Sequence, residues 1–197
     1  LGRAGTLYAC EQDGIVPDIV TLAKGLAAGY QPIGAVLMAE KIFRAFYDGS
    51  GFFQHGHTFI GHATACAAGS VVQTKLQSPA MMARVHELGA LFEEHLQDRF
   101  GNHPHIGDIR GRTFFRGLEL VRDRATKDPF DPAHKLNVRI KAEAMARGLM
   151  CYPGGGTIDG GRGDHILLAP PFILTDAEVG MVVERLGDAV DGAIASI

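Results

Sequence analysis

The chain has 197 residues, 46% of them hydrophobic and 21% charged, with a net charge of -3 and a pI near 6.3. That is room for one large domain or two small ones, and the charge balance gives no reason to expect a nucleic-acid or acidic-membrane partner. No apolar stretch approaches the ~20 residues of a membrane helix, and no basic-plus-apolar leader suggests a signal peptide.

Cys10, Cys66 and Cys151 are odd in number and far apart. They read as reduced residues of a cytoplasmic protein, not as a disulfide framework. Glycine is frequent, at 26 residues, and clusters at 49–51 and 154–163, where loops turn tightly or approach a ligand. The chain opens on Leu1 and reads as beginning mid-element, a portion of a longer protein.

In chain order, residues 19–22 and 33–38 are short apolar runs bounded by Gly and Pro. They suit strands buried on both faces of a parallel sheet. Residues 40–47 predict a short helix, and 61–77 a tightly packed helix of small residues. Ser78 and Pro79 then mark a helix start. Val85, Leu88, Phe92 and Leu96 give that helix one apolar face, ending near Gly101. Residues 113–121 predict a strand. Residues 133–147 predict a helix with Leu136, Ile140 and Ala144 inward and Gly148 as its stop. Strands follow at 149–153 and 165–171. Thr175 and Glu178 form a capping box for a last helix, whose face carries Val179, Val182, Leu186 and Val190. Residues 1–78 therefore read as part of a parallel α/β layer, and 79–197 as an α+β domain.

Lys24 stands between the first apolar run and a loop of small residues, 25–29. A lysine beyond a strand end is most often a solvated surface cation. Ligands in open α/β sheets, however, bind at the carboxyl ends of strands. A partly desolvated lysine there is an amine nucleophile suited to an aldehyde. His55, His57, His62 and Cys66 raise a metal reading, with His62 and Cys66 at i and i+4, but their spacing matches no zinc pattern. The arginines at 110, 112, 116, 122 and 124 are interleaved with Glu119, Asp123 and Asp128, which reads as a solvated, salt-bridged face.

The segment "DIVTLAKGLAAGYQPIGAV" (18–36) resembles the lysine segment of the class III pyridoxal-phosphate aminotransferases. "HGHTFIGHATACAAG" (55–69) is similar to that family's His-Thr-Phe-Ser-Gly-His-Pro stretch. "RGRTFFRGLELV" (110–121) resembles the strand opening its C-terminal domain, and "GDHILLAPPFILTDAEV" (163–179) its Pro-Pro strand and closing helix. "LGRAGTLYACEQDGIVPDIV" (1–20) matches the segment leading to the lysine.

The resemblance implies fold type I: part of the large α/β domain with its mixed, mostly parallel sheet in 1–78 and the small α+β domain in 79–197. It implies pyridoxal 5′-phosphate as cofactor, Lys24 as its Schiff-base lysine, and transfer of an amino group from an amine or amino acid to a keto acid or aldehyde. Thr58 matches the threonine that binds the cofactor phosphate across a homodimer interface, and His57 beside it contributes backbone. Arg162 is the candidate for a substrate carboxylate, although the usual spacing falls on Gly160. Ile60 and Ala63 stand where the family has Ser and Pro. The resemblance implies no metal.

The aspartate that partners the pyridinium, the same-subunit phosphate loop and the stacking aromatic would precede Leu1. The fragment alone is therefore expected to be inactive. The competing readings are a non-catalytic remnant, or a family member that decarboxylates or moves an amino group within one substrate. A cofactor-free lysine aldolase is disfavoured, because the Thr58 segment would have no phosphate to bind.

Overall fold

The computed structural model describes residues 1–197. The chain divides into two compact units: residues 1–2 with 6–82, and residues 3–5 with 83–197.

In the first unit, β1 (Ile19–Leu22) pairs with β2 (Ala35–Met38), in register Ile19 with Met38 and Leu22 with Ala35. The pairing is antiparallel, which corrects the expectation of parallel strands. Only a short 3-10 turn, Lys24–Leu26, lies between them. A parallel return needs a longer crossover, usually a helix.

The two strands are not buried on both faces either: Ile19 is 55% exposed and Val36 61%. Two strands have only one neighbour each, and α1 (Glu40–Tyr47) buries no residue that would cover them. α2 (Ala63–Leu76) is the packed helix of this unit, with Ala65, Gly69 and Leu76 buried. Its small side chains let backbone come close, and Ala27 is fully buried in the same unit.

The second unit is built on a four-stranded antiparallel sheet and on α3 (Pro79–Phe100) from Ala83 onward, the helix's first four residues falling in the first unit. The sheet comprises β3 (Ile106–Arg112), β4 (Phe115–Leu120), β5 (Tyr152–Gly155) and β6 (Asp164–Leu168), in the order β3-β4-β6-β5. α4 (Leu136–Ala146) and α5 (Asp176–Ala195) complete it. Ser78 Oγ accepts from Met81 N at 3.3 Å, capping α3 as its sequence predicts. Val85, Leu88, Phe92 and Leu96 are all buried, as are Leu136, Ile140 and Ala144 of α4. They meet Leu118, Leu120, Ile166 and Leu168 from alternate positions of β4 and β6 in one core. Each large buried side chain there contributes about 1.5–3 kcal/mol.

Three local expectations shift. β3 is a strand that the sequence reading lacked. It is paired by a two-residue connection opening on Thr113 at φ 50°. β5 begins at Tyr152, because Leu149 is still tied to Ala144 O (2.8 Å) by the end of α4 around Gly148. On α5 the buried residue is Val183, while Val182 is partly buried against the core. The Thr175–Glu178 capping box is formed as expected.

Candidate active site

β1 delivers the chain to Ala23 in extended conformation, φ -159°. Lys24 then takes φ 51°, in the left-handed region. Only glycine and, less often, Asn or Asp adopt that region readily. The reversal at Lys24 closes a turn in which Leu26 N donates to Ala23 O at 3.1 Å. The lysine is exposed beyond the strand end. Its neighbours Gly25, Ala27, Ala28 and Gly29 carry at most a methyl side chain.

The turn is fastened to α2. Gln73 Nε2 donates to Leu26 O at 2.9 Å and, at a longer 3.4 Å, to Gly25 O. One helical turn earlier, Gly69 faces the same loop: a Cβ there would lie 3.8 Å from Leu26 O and 3.6 Å from Ile33 Cδ1. Gln73 was not singled out in the sequence. The available signal was its spacing of four from Gly69, which puts one small and one polar residue on a single helix face.

Thr58 lies in an exposed turn, where Ile60 N donates to His57 O at 3.0 Å and His62 N to Phe59 O at 3.1 Å. The His57 ring meets His55 edge-on at 5.1 Å. His62 is the N-cap of α2, with Nδ1 accepting from Ala65 N at 3.3 Å. That nitrogen is engaged in capping, and no group of three or more His, Cys, Asp or Glu side chains is arranged to hold a metal ion. The Thr58 turn and the Lys24 turn thus attach to opposite ends of α2, about 16 Å apart along its axis at 1.5 Å per residue.

Arg162 belongs to the second unit, in the loop between β5 and β6. Its Nε donates to Asp159 Oδ2 at 2.7 Å and its backbone N to Asp159 Oδ1 at 2.8 Å. Gly161 N also donates to Oδ1, at 3.0 Å. These bonds hold the Asp159 carboxyl down at about 2. The loop requires its glycines: at Gly163, φ 90°, a Cβ would lie 2.4 Å from Thr157 Oγ1.

An exposed amine on a sharply turned strand end, flanked by small residues, fits an aldehyde cofactor. The exposed Thr58 hydroxyl fits a phosphate oxygen. The Lys24 amine is not spent on an internal ion pair.

A family profile described as "Aminotransferase class-III" matches residues 1–190. An uncharacterized aminotransferase of Schizosaccharomyces pombe is 41% identical over all 197 residues, which cover 43% of that protein. Among solved structures, an omega-aminotransferase from Paracoccus denitrificans matches at TM-score 0.89 and 33% identity, over 100% of this chain and 42% of that one. An amine transaminase from an uncultivated Pseudomonas species, solved in its PLP-bound (internal aldimine) form, matches at TM-score 0.84 and 35% identity, over 98% of this chain and 42% of that one. The chain thus spans less than half the length of these relatives, and the fold it shares with them is fold type I of the pyridoxal-phosphate transferases. With the profile match running through both units, the chain belongs to the class III aminotransferases.

Proposed function

We propose that this chain carries the lysine and the C-terminal part of a transaminase that moves an amino group from an amine or amino acid to a keto acid or aldehyde. Pyridoxal 5′-phosphate is the cofactor that family membership carries. When bound, it supplies an electron sink for the bonds at the substrate's amino-bearing carbon.

Lys24 Nζ would hold the cofactor through its aldehyde carbon, at the end of β1. When not bonded to the cofactor, the same amine would carry the proton to and from the substrate's amino-bearing carbon. The Thr58 hydroxyl and neighbouring backbone N–H groups would donate to the cofactor phosphate. In this reading the contact is made across a homodimer, and His57 contributes backbone to the same turn.

Arg162 binds a substrate carboxylate through its terminal guanidinium nitrogens, because Nε is already committed to Asp159. The three free cysteines support a cytoplasmic location.

The observation that carries this reading is the placement of Lys24: exposed, left-handed and at a strand end, in a chain matched to the family over 1–190. The test is the absorbance of the protein after loading with pyridoxal phosphate and removal of the unbound cofactor, beside Lys24→Ala. A band at the edge of the visible that the variant lacks supports the reading. The same band in both proteins overturns it.

A further inference from the structure

A lysine at φ 51° is held where glycine would sit more easily. Ala28, three residues past the turn's first glycine, also has positive φ, 50°. Two non-glycine residues in the left-handed region within one short loop indicate backbone held from outside the loop. The holding contact on α2 is Gln73, whose amide reaches Leu26 O at 2.9 Å and Gly25 O at 3.4 Å. Gln73 is itself only partly exposed, and it lies on the same helix face as the buried Gly69.

We propose that Gln73 is a positioning residue for Lys24: its side-chain amide pins the carbonyls of residues 25 and 26, so that the backbone at Lys24 stays left-handed and its amine stands beyond the end of β1. The proposal deepens the function given above and rests on its assignment of Lys24. The chemistry is that of a donor holding two backbone acceptors. Gln73→Glu keeps the shape and removes the donor, and Gln73→Arg restores one.

The backbone arm of the test is independent of the cofactor. In an ordinary position, glycine in place of alanine destabilises a chain. At a position held left-handed the sign reverses, because the alanine Cβ is strained there. Lys24→Gly should therefore melt above Lys24→Ala, by about 2–4 °C for a chain of this size. In the Gln73→Glu background the turn relaxes and that gap should close. The chemical arm uses pyridoxal 5′-phosphate with borohydride, followed by peptide mapping. Trapping at Lys24, measured against the exposed Lys41 and Lys75, should slow by about tenfold or more in Gln73→Glu and recover in Gln73→Arg. A merely structural glutamine would lower the melting temperature without changing this ratio.

Lys24→Gly melting at or below Lys24→Ala, or a gap and trapping ratio both unmoved by Gln73→Glu, overturns the proposal. A Gln73-dependent gap without any preference for Lys24 in the parent protein supports the backbone device and overturns the cofactor role of the lysine instead. The two failures are thereby distinguishable.

Discussion

Asp159 and Arg162 face each other across the two glycines between them in the β5–β6 loop, with Nε 2.7 Å from Oδ2 and the Arg162 amide 2.8 Å from Oδ1. One carboxylate thus sets both the path of a glycine-rich loop and the rotamer of the arginine proposed to meet substrate.

The depressed Asp159 carboxyl has a consequence for pH. Its folded value of about 2 lies below the ordinary aspartate range. The stabilisation of the loop is therefore complete above the unfolded value, near pH 4, and is lost as pH falls through the folded value. Amide exchange at Gly161 and Arg162 should stay protected down to about pH 4 and lose protection toward pH 2. In Asp159→Ala, both amides should exchange freely at neutral pH.

Arg162→Ala should raise KM for a keto-acid acceptor by about ten- to a hundredfold, the range expected for lost hydrogen bonds to a charged group. KM for an amine lacking a carboxylate should stay within about twofold. Steady-state kinetics of the complete enzyme with both substrate types checks this. Equal effects on the two would assign Arg162 to the loop alone.

Phe92 is 1% exposed and meets Phe114 edge-on with centroids 5.5 Å apart. Phe92→Ala should cost about 3–5 kcal/mol, from lost transfer energy and the cavity left behind. Denaturant unfolding of the protein measures it, and a loss under about 1 kcal/mol would mean that the core around α3 refills.

Thr175 Oγ1 accepts from Glu178 N at 3.3 Å, while Glu178 Oε2 accepts from Thr175 N at 2.8 Å. Thr175→Ala removes one side of this exchange and should lower stability by about 0.5–2 kcal/mol. Thr175→Ser should retain most of it. Thermal melts of the two variants side by side provide the comparison.

Much of the second unit was legible in the sequence because its helices carry clear 3.6-residue periodicity and standard caps. Val85 to Leu96, Leu136 to Ala144, and Thr175 with Glu178 all fall where pattern and capping chemistry predict. β3 was hidden because "IGDIRGR" has charged residues and glycine where a strand signal wants alternating apolar ones. It forms because its backbone pairs with β4 while Ile106 enters the core and Ile109 packs against it. Val182 and Val183 are adjacent, and a one-residue drift of a helix face is beyond what periodicity resolves.

In the first unit, an apolar run such as Ile33–Met38 cannot report its own strand direction, since parallel and antiparallel neighbours bury the same residues. The position of Lys24 just beyond a strand was legible from its place after an apolar run. Its left-handed backbone was not, because sequence reasoning expects glycine or asparagine there. Gln73 was silent for a related reason: its hydrogen bonds run to carbonyls 47 and 48 residues away.

The most direct test of the account is to locate the covalent adduct. The protein is incubated with pyridoxal 5′-phosphate, reduced with borohydride, digested, and mapped by mass spectrometry over Lys24, Lys41, Lys75, Lys127, Lys135 and Lys141. The account predicts an adduct concentrated on Lys24. Labelling spread evenly over the exposed lysines, with no preference for Lys24, would contradict it.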